Sequence, residues 1–441
     1  MEKKMLSVAD NQFITQTNPG TPMGELFRRF WLPAILSTQL PQIDCAPVEV
    51  RLLGEQLVAF RDTKGKVGIL EARCPHRHAN LKWARNEECG LRCVYHGWKF
   101  DTDGKCLDQP AEPVNSRFKE SVRAKSYATH EAGGLIWIFM GPEALRPDFP
   151  AFEWTLLPDD HFLATKRFQY CNFLQNLEGE IDTAHVNFLH HNLDTPGDPT
   201  VPQEILPPRF DGEGLMPPPF LARKQFDLAE TDFGFVAMAR SEFPNDELYW
   251  RMTPYFVPSF TIIPSRYEDS NTWTAIVPVD DQNCVGFTVT WHHARPLNEH
   301  EILAVTSGAG VHVLVDPDTF IPLANKTNDY LINRDLQETS SFTGIYGVRG
   351  EDLPVQEDQD GAICQRHEEH LGVTDRAIVG MRRMLIGLAR DLQKGIEPPH
   401  AYRPKAYRAR SVSIIAPSSV DPFDLYLEGQ PERTNQFSVP F

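Results

Sequence analysis

Cys74-Pro75-His76-Arg77 and, with sixteen residues between His76 and Cys93, Cys93-Val94-Tyr95-His96-Gly97-Trp98 form the stretch on which the reading of this chain turns. As spacing it is C-x-H followed by C-x-x-H, so each of two short loops offers one thiolate and one imidazole. Thiolates suit iron–sulfur clusters and zinc, whereas neutral imidazoles suit iron and zinc. A [2Fe–2S] centre with two cysteines on one iron and two histidines on the other needs such a set, each loop spanning the cluster. The rival is a structural Cys2His2 zinc site, which more often uses C-x-x-C and H-x-x-x-H pairs. Four unrelated core residues are the plain alternative; the pairing of the loops, with Pro75, Gly97 and Trp98 beside them, argues against it. Cys89 has no histidine at a matching offset and reads as structural.

The loops sit in a β context. Val48–Leu52 and Gln56–Arg61 alternate apolar with polar, Asp62–Gly65 supplies a turn, and the strand rhythm closes at Leu135–Met140 before Gly141-Pro142. Residues 41–142 therefore read as one small all-β domain. Ahead of it, Thr21 is placed to cap a short amphipathic helix that starts at Pro22 and reads on to Trp31. Behind it, residues 172–190 read as a helix losing regularity near Phe188. Strand-like runs follow at 260–263, 273–277 and 285–291, and 374–394 reads as a long helix capped by Thr374. Residues 143–441 thus read as an antiparallel sheet with helices, making the chain α+β.

Composition narrows the function. The 441 residues carry 41 % apolar and 23 % charged side chains, as a globular protein of two to three domains does. A net charge of −17 disfavours nucleic-acid phosphates and anionic membrane faces as partners. Met1–Asp10 lacks the apolar core of a signal peptide, and the longest apolar runs are strand-sized, so a cytoplasmic protein is expected. In that setting the eight cysteines are reduced or metal-bound in preference to disulfide-paired.

A second constellation lies at Asp182-Thr183-Ala184-His185-Val186-Asn187-Phe188-Leu189-His190, with His191 adjoining. Asp182 and His185 share a helix face at a spacing of three. His190 would lie about 140° from His185 on an ideal helix, so both reach one metal only if the helix ends or distorts first. Two histidines and a carboxylate with open positions are the ligand set of non-haem Fe(II) oxygenases. Taken alone, the segment reads better as a helix with packed or solvated histidines. Its company changes that, because a one-electron cluster needs an acceptor.

The two loops resemble the halves of the Rieske [2Fe–2S] signature of ring-hydroxylating oxygenases. Gly20-Thr21-Pro22-Met23-Gly24 and Phe30-Trp31 are similar to the N-terminal pattern of the phthalate dioxygenase-like group. The resemblance implies a Rieske domain over 41–142 and a catalytic mononuclear-iron domain of helix-grip, START-like architecture over 143–441. Residues 1–40 would be a helical segment packing on the latter. It further implies Cys74, His76, Cys93 and His96 as cluster ligands, and His185 and His190 as iron ligands. Asp182 would bridge to His96 of a neighbouring subunit in a homotrimer or a dimer of trimers. The stretch Glu351-Asp352-Leu353-Pro354-Val355-Gln356-Glu357 is similar to that group's Gln-Asp and Gln-Glu pairs, which nominates Asp352 as third ligand, with Glu351 standing where the group has Gln and Asp358 and Asp360 close by. Two other departures are His78 where many relatives have glycine, and Glu178 where many have asparagine.

The implied activity is that of a terminal oxygenase using O2 and NADH-derived electrons on a carboxylated aromatic compound. Ring cis-dihydroxylation is the first reading, and O-demethylation of a methoxylated aryl acid with release of formaldehyde the second. The chain shows neither a Gly-rich dinucleotide fingerprint nor plant-type four-cysteine spacing, so a separate flavin- and ferredoxin-type reductase, or a ferredoxin, would supply the electrons. Arg209, Arg223, Arg240, Arg251 and Arg266 are candidates to meet a substrate carboxylate. From other classes, a zinc-stabilised binding protein and a non-catalytic Rieske electron carrier remain.

Overall fold

The computed structural model describes residues 6–190, 225–243, 245–265 and 269–431. Among these residues, three antiparallel sheets form. Six strands run in the order Trp31–Leu36, Leu135–Phe139, Ser126–Ala132, Val67–Glu71, Glu55–Arg61 and Val48–Leu52. A smaller sheet of Arg85–Glu87, Gly90–Arg92, Lys99–Phe100 and Cys106–Asp108 lies over it. Seven strands of the large sheet follow the order Phe162–Gln169, Cys284–Trp291, Asn271–Pro278, Phe260–Ile263, Glu247–Phe256, Gly234–Phe243 and Gln225–Thr231, and Val412–Pro417 adds to Glu247–Phe256 as an eighth. The architecture is the α+β arrangement expected. No helix of the described residues is long and apolar enough to cross a membrane.

Strand Glu55–Arg61 shows how the chain builds two cores at once. Side chains alternate faces along a strand, so Val58 and Phe60 enter a core with Leu70, Leu81, Leu91, Trp98 and Phe100 beneath the Cys-His loops. Leu57 and Ala59 point the other way, into the main core. Burial on both faces explains the continuous Leu57–Phe60 run, where alternation with polar residues was expected.

The main core is continuous from the N-terminal segment through the six-stranded sheet into the large sheet. All five residues of Leu135–Phe139 are buried. Trp137 stacks on Phe152 at 5.8 Å and meets Trp273 of the large sheet at 5.7 Å. Each such side chain contributes about 1.5–3 kcal/mol by leaving water.

The N-terminal helices dock on the other side. Asp10 pairs with Arg390 at 2.6 Å, Asn11 donates to the Cys364 carbonyl at 2.9 Å, and Arg29 pairs with Glu397 at 2.9 Å. Thr21 caps helix Pro22–Phe27 as expected, its hydroxyl accepting from Gly24 N. The helix stops at Phe27 and does not reach Trp31, because Trp31–Leu36 is taken up as an edge strand against Leu135–Phe139. Pro33 is tolerated there, beside a bulge, since an edge strand has N–H groups to spare.

Helix Arg376–Gln393 lays Met381, Leu385 and Ala389 into the core. It begins after Asp375 without a side-chain cap, so the expected cap at Thr374 is not used. The Asp375 carboxylate accepts from Gly372 N instead.

Two buried histidines make stability depend on pH. His312 places Nδ1 2.8 Å from the Thr165 hydroxyl and Nε2 2.9 Å from that of Thr290, and burial drives it down to about 3. Burial takes His400 down to about 4. In the unfolded chain both take up protons near 6.5, whereas the folded chain refuses them. Stability is therefore lost as pH falls from about 6.5 toward 4, by up to about 1.4 kcal/mol per pH unit for each histidine. Urea midpoints at pH 7 and pH 5 will show it, and His312→Gln should flatten the dependence. An identical slope in that variant would remove His312 from the account.

Candidate metal centres

The two Cys-His loops are backbone copies of each other. Cys74 O accepts from His78 N at 2.9 Å and Cys74 N donates to Ala79 O at 2.9 Å. Cys93 O accepts from Gly97 N at 3.0 Å and Cys93 N donates to Trp98 O at 2.8 Å. Each loop closes through a left-handed residue, His78 at φ 58° and Gly97 at φ 76°. His78 therefore does the backbone work of a glycine, with its side chain exposed.

This geometry sorts the ligands by type. Burial, with the adjacent Cys93 thiol, pushes Cys74 up to about 11. The His76 and His96 rings meet edge to face at 4.4 Å, and His76 stacks on Trp98 at 4.3 Å. Thiols thus meet at the buried end and imidazoles at the outer end. Among the described residues, the group whose ligand atoms all lie within 4.8 Å of one another is His185, His190 and Asp352. The four loop ligands do not close on one point as a tetrahedral zinc site requires. Paired thiols and paired imidazoles fit a two-iron cluster, and the buried His76 Nδ1 has no hydrogen-bond partner among the described residues. Cys89 sits apart in a hairpin turn, its N–H donating to the Thr63 hydroxyl.

The second centre depends on a helix that ends early. Helix Phe173–Ile181 is capped by Asn172, whose side chain accepts from Leu174 N, and stops at Asp182. The Asp182 carboxylate accepts from Ala184 N at 2.7 Å and His185 N at 3.3 Å, turning the chain before the four-residue helix Val186–Leu189. A helix continuing to Phe188 was expected; the competing side-chain acceptor breaks it at Asp182. The break brings the His185 and His190 rings to 5.1 Å.

Each ring is held from behind. His185 Nδ1 lies 3.2 Å from Asp182, and His190 Nδ1 lies 2.7 Å from Glu351. That leaves both Nε2 atoms facing Asp352 Oδ1, at 3.7 and 3.5 Å. Asp352 does not lie in a solvated acidic loop. It sits buried in helix Val348–Glu357, beyond which Asp358 ends the helix and pairs with Lys326. Its Oδ2 accepts from Arg349 Nη1 at 3.1 Å, Arg349 pairs with Glu180 at 2.6 Å, and Glu180 meets Arg167 at 3.4 Å. Against the cost of burial, His190 and Arg349 hold Asp352 down to about 2. Asp352 and Glu351 likewise hold His190 up to about 9. Two imidazole nitrogens and one carboxylate oxygen within reach of one point suit a ferrous ion with open positions.

Sequence reasoning missed Glu351, Glu180, Arg349 and Arg167. A signal was present in Arg349 and Asp352, a charge pair at helical spacing. Glu178 also finds its explanation here. It is buried, with Arg366 Nε at 2.9 Å and Arg382 Nε at 2.6 Å, so two arginines compensate the carboxylate where relatives have an amide. Of the arginines considered for substrate, Arg209, Arg223 and Arg266 lie outside the described residues, as does His191. Arg240 is spent on Gln225 and the Trp250 face. Arg251 keeps a buried Nε without a hydrogen-bond partner among the described residues.

Residues 30–125 match the Rieske [2Fe–2S] domain, and residues 138–416 match the family described as LigXa C-terminal domain like. The 3-chlorobenzoate-3,4-dioxygenase oxygenase subunit of Comamonas testosteroni is 35 % identical over 435 residues, covering 95 % of this chain and 97 % of that protein. The chain belongs to the phthalate dioxygenase-like Rieske oxygenases. The phthalate 4,5-dioxygenase oxygenase subunit of Pseudomonas putida is 33 % identical, covering 89 % of this oxygenase and 88 % of that protein. The solved structure of the Pseudomonas putida CBB5 NdmA QL mutant with caffeine shares the fold, with a TM-score of 0.57 at 21 % identity over 87 % of this chain and 96 % of that one.

As a Rieske oxygenase the protein carries a [2Fe–2S] cluster and a mononuclear iron, and is the oxygenase subunit of a multicomponent system. The zinc-stabilised binding protein is thereby set aside. Exchanging His78 for glycine should leave the EPR signal of the reduced cluster unchanged and shift stability by no more than about 1 kcal/mol, since the left-handed strain removed is offset by glycine's extra freedom when unfolded. A lost signal would mean that the His78 side chain supports the cluster.

Proposed function

We propose that this oxygenase oxidises a carboxylated aromatic compound by ring cis-dihydroxylation, with NADH-derived electrons arriving from a separate flavin- and ferredoxin-type reductase or a ferredoxin. The observation that carries the reading is the convergence of His185, His190 and Asp352 in the same chain as the paired Cys-His loops. Cys74, His76, Cys93 and His96 would hold the cluster, and His185, His190 and Asp352 the iron. When bound, these groups supply single electrons and the activation of dioxygen. The protein's own part is to fix both imidazoles through Asp182 and Glu351, to anchor Asp352 on Arg349, and to bring the substrate alongside. Both relatives named above act on aryl carboxylates. Residues 1–40, 41–142 and 143–441 would be the working units.

Asp182 would couple the cluster to the iron across a subunit boundary. Among the described residues its carboxylate is engaged by its own turn and by His185, while the side chain remains one-fifth exposed. His96 of a neighbouring copy, in a homotrimer or a pair of trimers, is the proposed partner.

Single turnover of reduced, iron-loaded protein with phthalates, benzoates and methoxylated aryl acids tests the reading. A cis-diol is expected. Formaldehyde in step with a demethylated product would make this an O-demethylase. Cluster oxidation without product from any of these substrates would overturn the substrate class.

A further inference from the structure

The iron site holds two carboxylate–imidazole pairs, and only Asp182–His185 was foreseeable from the sequence. In the other pair, Glu351 Oε2 lies 2.7 Å from His190 Nδ1 and its Oε1 accepts from the Thr343 hydroxyl at 2.6 Å. Both His190 and Glu351 side chains are more than nine-tenths buried. Thr343 is itself fixed, its hydroxyl accepting from Ile345 N at 3.2 Å. The arrangement fastens the His190 ring through Nδ1 to a buried carboxylate that cannot rotate away.

We infer that Glu351 is a positioning residue for the iron. It holds His190 protonated on Nδ1 with Nε2 turned to the metal, and it places an additional negative charge behind the ligand. A glutamine at this position, as in the group the sequence resembles, can accept the same hydrogen bond but brings no charge. The carboxylate is therefore expected to retain a divalent cation more tightly than a glutamine in the same place would. The inference rests on His190 being an iron ligand.

The test is Fe(II) dissociation from anaerobically loaded full-length protein into a ferrous chelator, compared among wild type, Glu351→Gln, Thr343→Val and His190→Ala. The EPR spectrum of the nitric oxide adduct of the ferrous site provides a second readout. Glu351→Gln keeps the shape of the side chain and is expected to weaken iron binding about 10- to 100-fold, the usual cost of losing an outer-shell partner. It should also alter the adduct spectrum while leaving the cluster signal as it was. Thr343→Val should give a smaller loss in the same direction. Wild-type affinity and spectrum in Glu351→Gln, with affinity lost in His190→Ala, would overturn the inference and leave the iron site standing. Unchanged affinity in His190→Ala would overturn the iron site itself.

Discussion

Asp352→Asn is expected to lose the mononuclear iron while keeping the reduced-cluster EPR signal. The substitution removes the only carboxylate in the convergent ligand set. The loss of iron affinity should exceed the roughly 100-fold that removal of an outer partner costs. Asparagine is the right probe because it keeps a hydrogen-bond acceptor for Arg349. Alanine would leave the buried Arg349 Nη1 without its acceptor, at a cost of about 1–3 kcal/mol, and confound the result with destabilisation. Glu180 remains 2.6 Å from Arg349 in either variant, so the asparagine protein should fold. Product formation should fall with iron content. Iron retained at the wild-type level would show that Asp352 is not a ligand.

Asp182→Asn should separate electron transfer from metal binding. The amide oxygen can still accept from Ala184 N and keep the turn, but the charge behind His185 is lost, so iron binding weakens about 10- to 100-fold and the variant is filled with excess Fe(II) before the measurement. An amide cannot receive a proton from a neighbouring imidazole as a carboxylate does. Reoxidation of the reduced cluster in single turnover is therefore expected to slow by roughly 100-fold, the low end of what a positioned proton acceptor contributes. Stopped-flow absorbance of the cluster measures this directly. A wild-type rate in the iron-replete variant would eliminate the bridging role.

What could be read in the sequence follows the range of the interactions. The Cys-His loops were legible because every feature that shapes them lies within six residues: the ligand pair, the i to i+4 backbone bond and the left-handed closing residue. The strands at 260–263, 271–278 and 284–291 were legible from their own apolar runs. Helix Val348–Glu357 was not, because its acids look solvated until their partners are in place. Glu351 meets His190 across 161 residues, and Glu357 accepts from Tyr170 N across 187. Glu178 poses the same problem, with arginines 188 and 204 residues away. The early stop at Asp182 failed for a different reason. Apolar periodicity favours continuing the helix, while one carboxylate taking two backbone N–H groups decides against it.

The continuous core between the six-stranded and large sheets has a kinetic corollary. With Trp137 wedged between Phe152 and Trp273, the cluster-bearing lobe has no hinge on which to swing. It cannot swing toward an electron donor; the donor must come to a stationary port. In the proposed trimer the distance an electron tunnels would be set once, when the copies come together, and delivery to the iron should be indifferent to solvent viscosity, leaving the donor's approach as the step that glycerol slows.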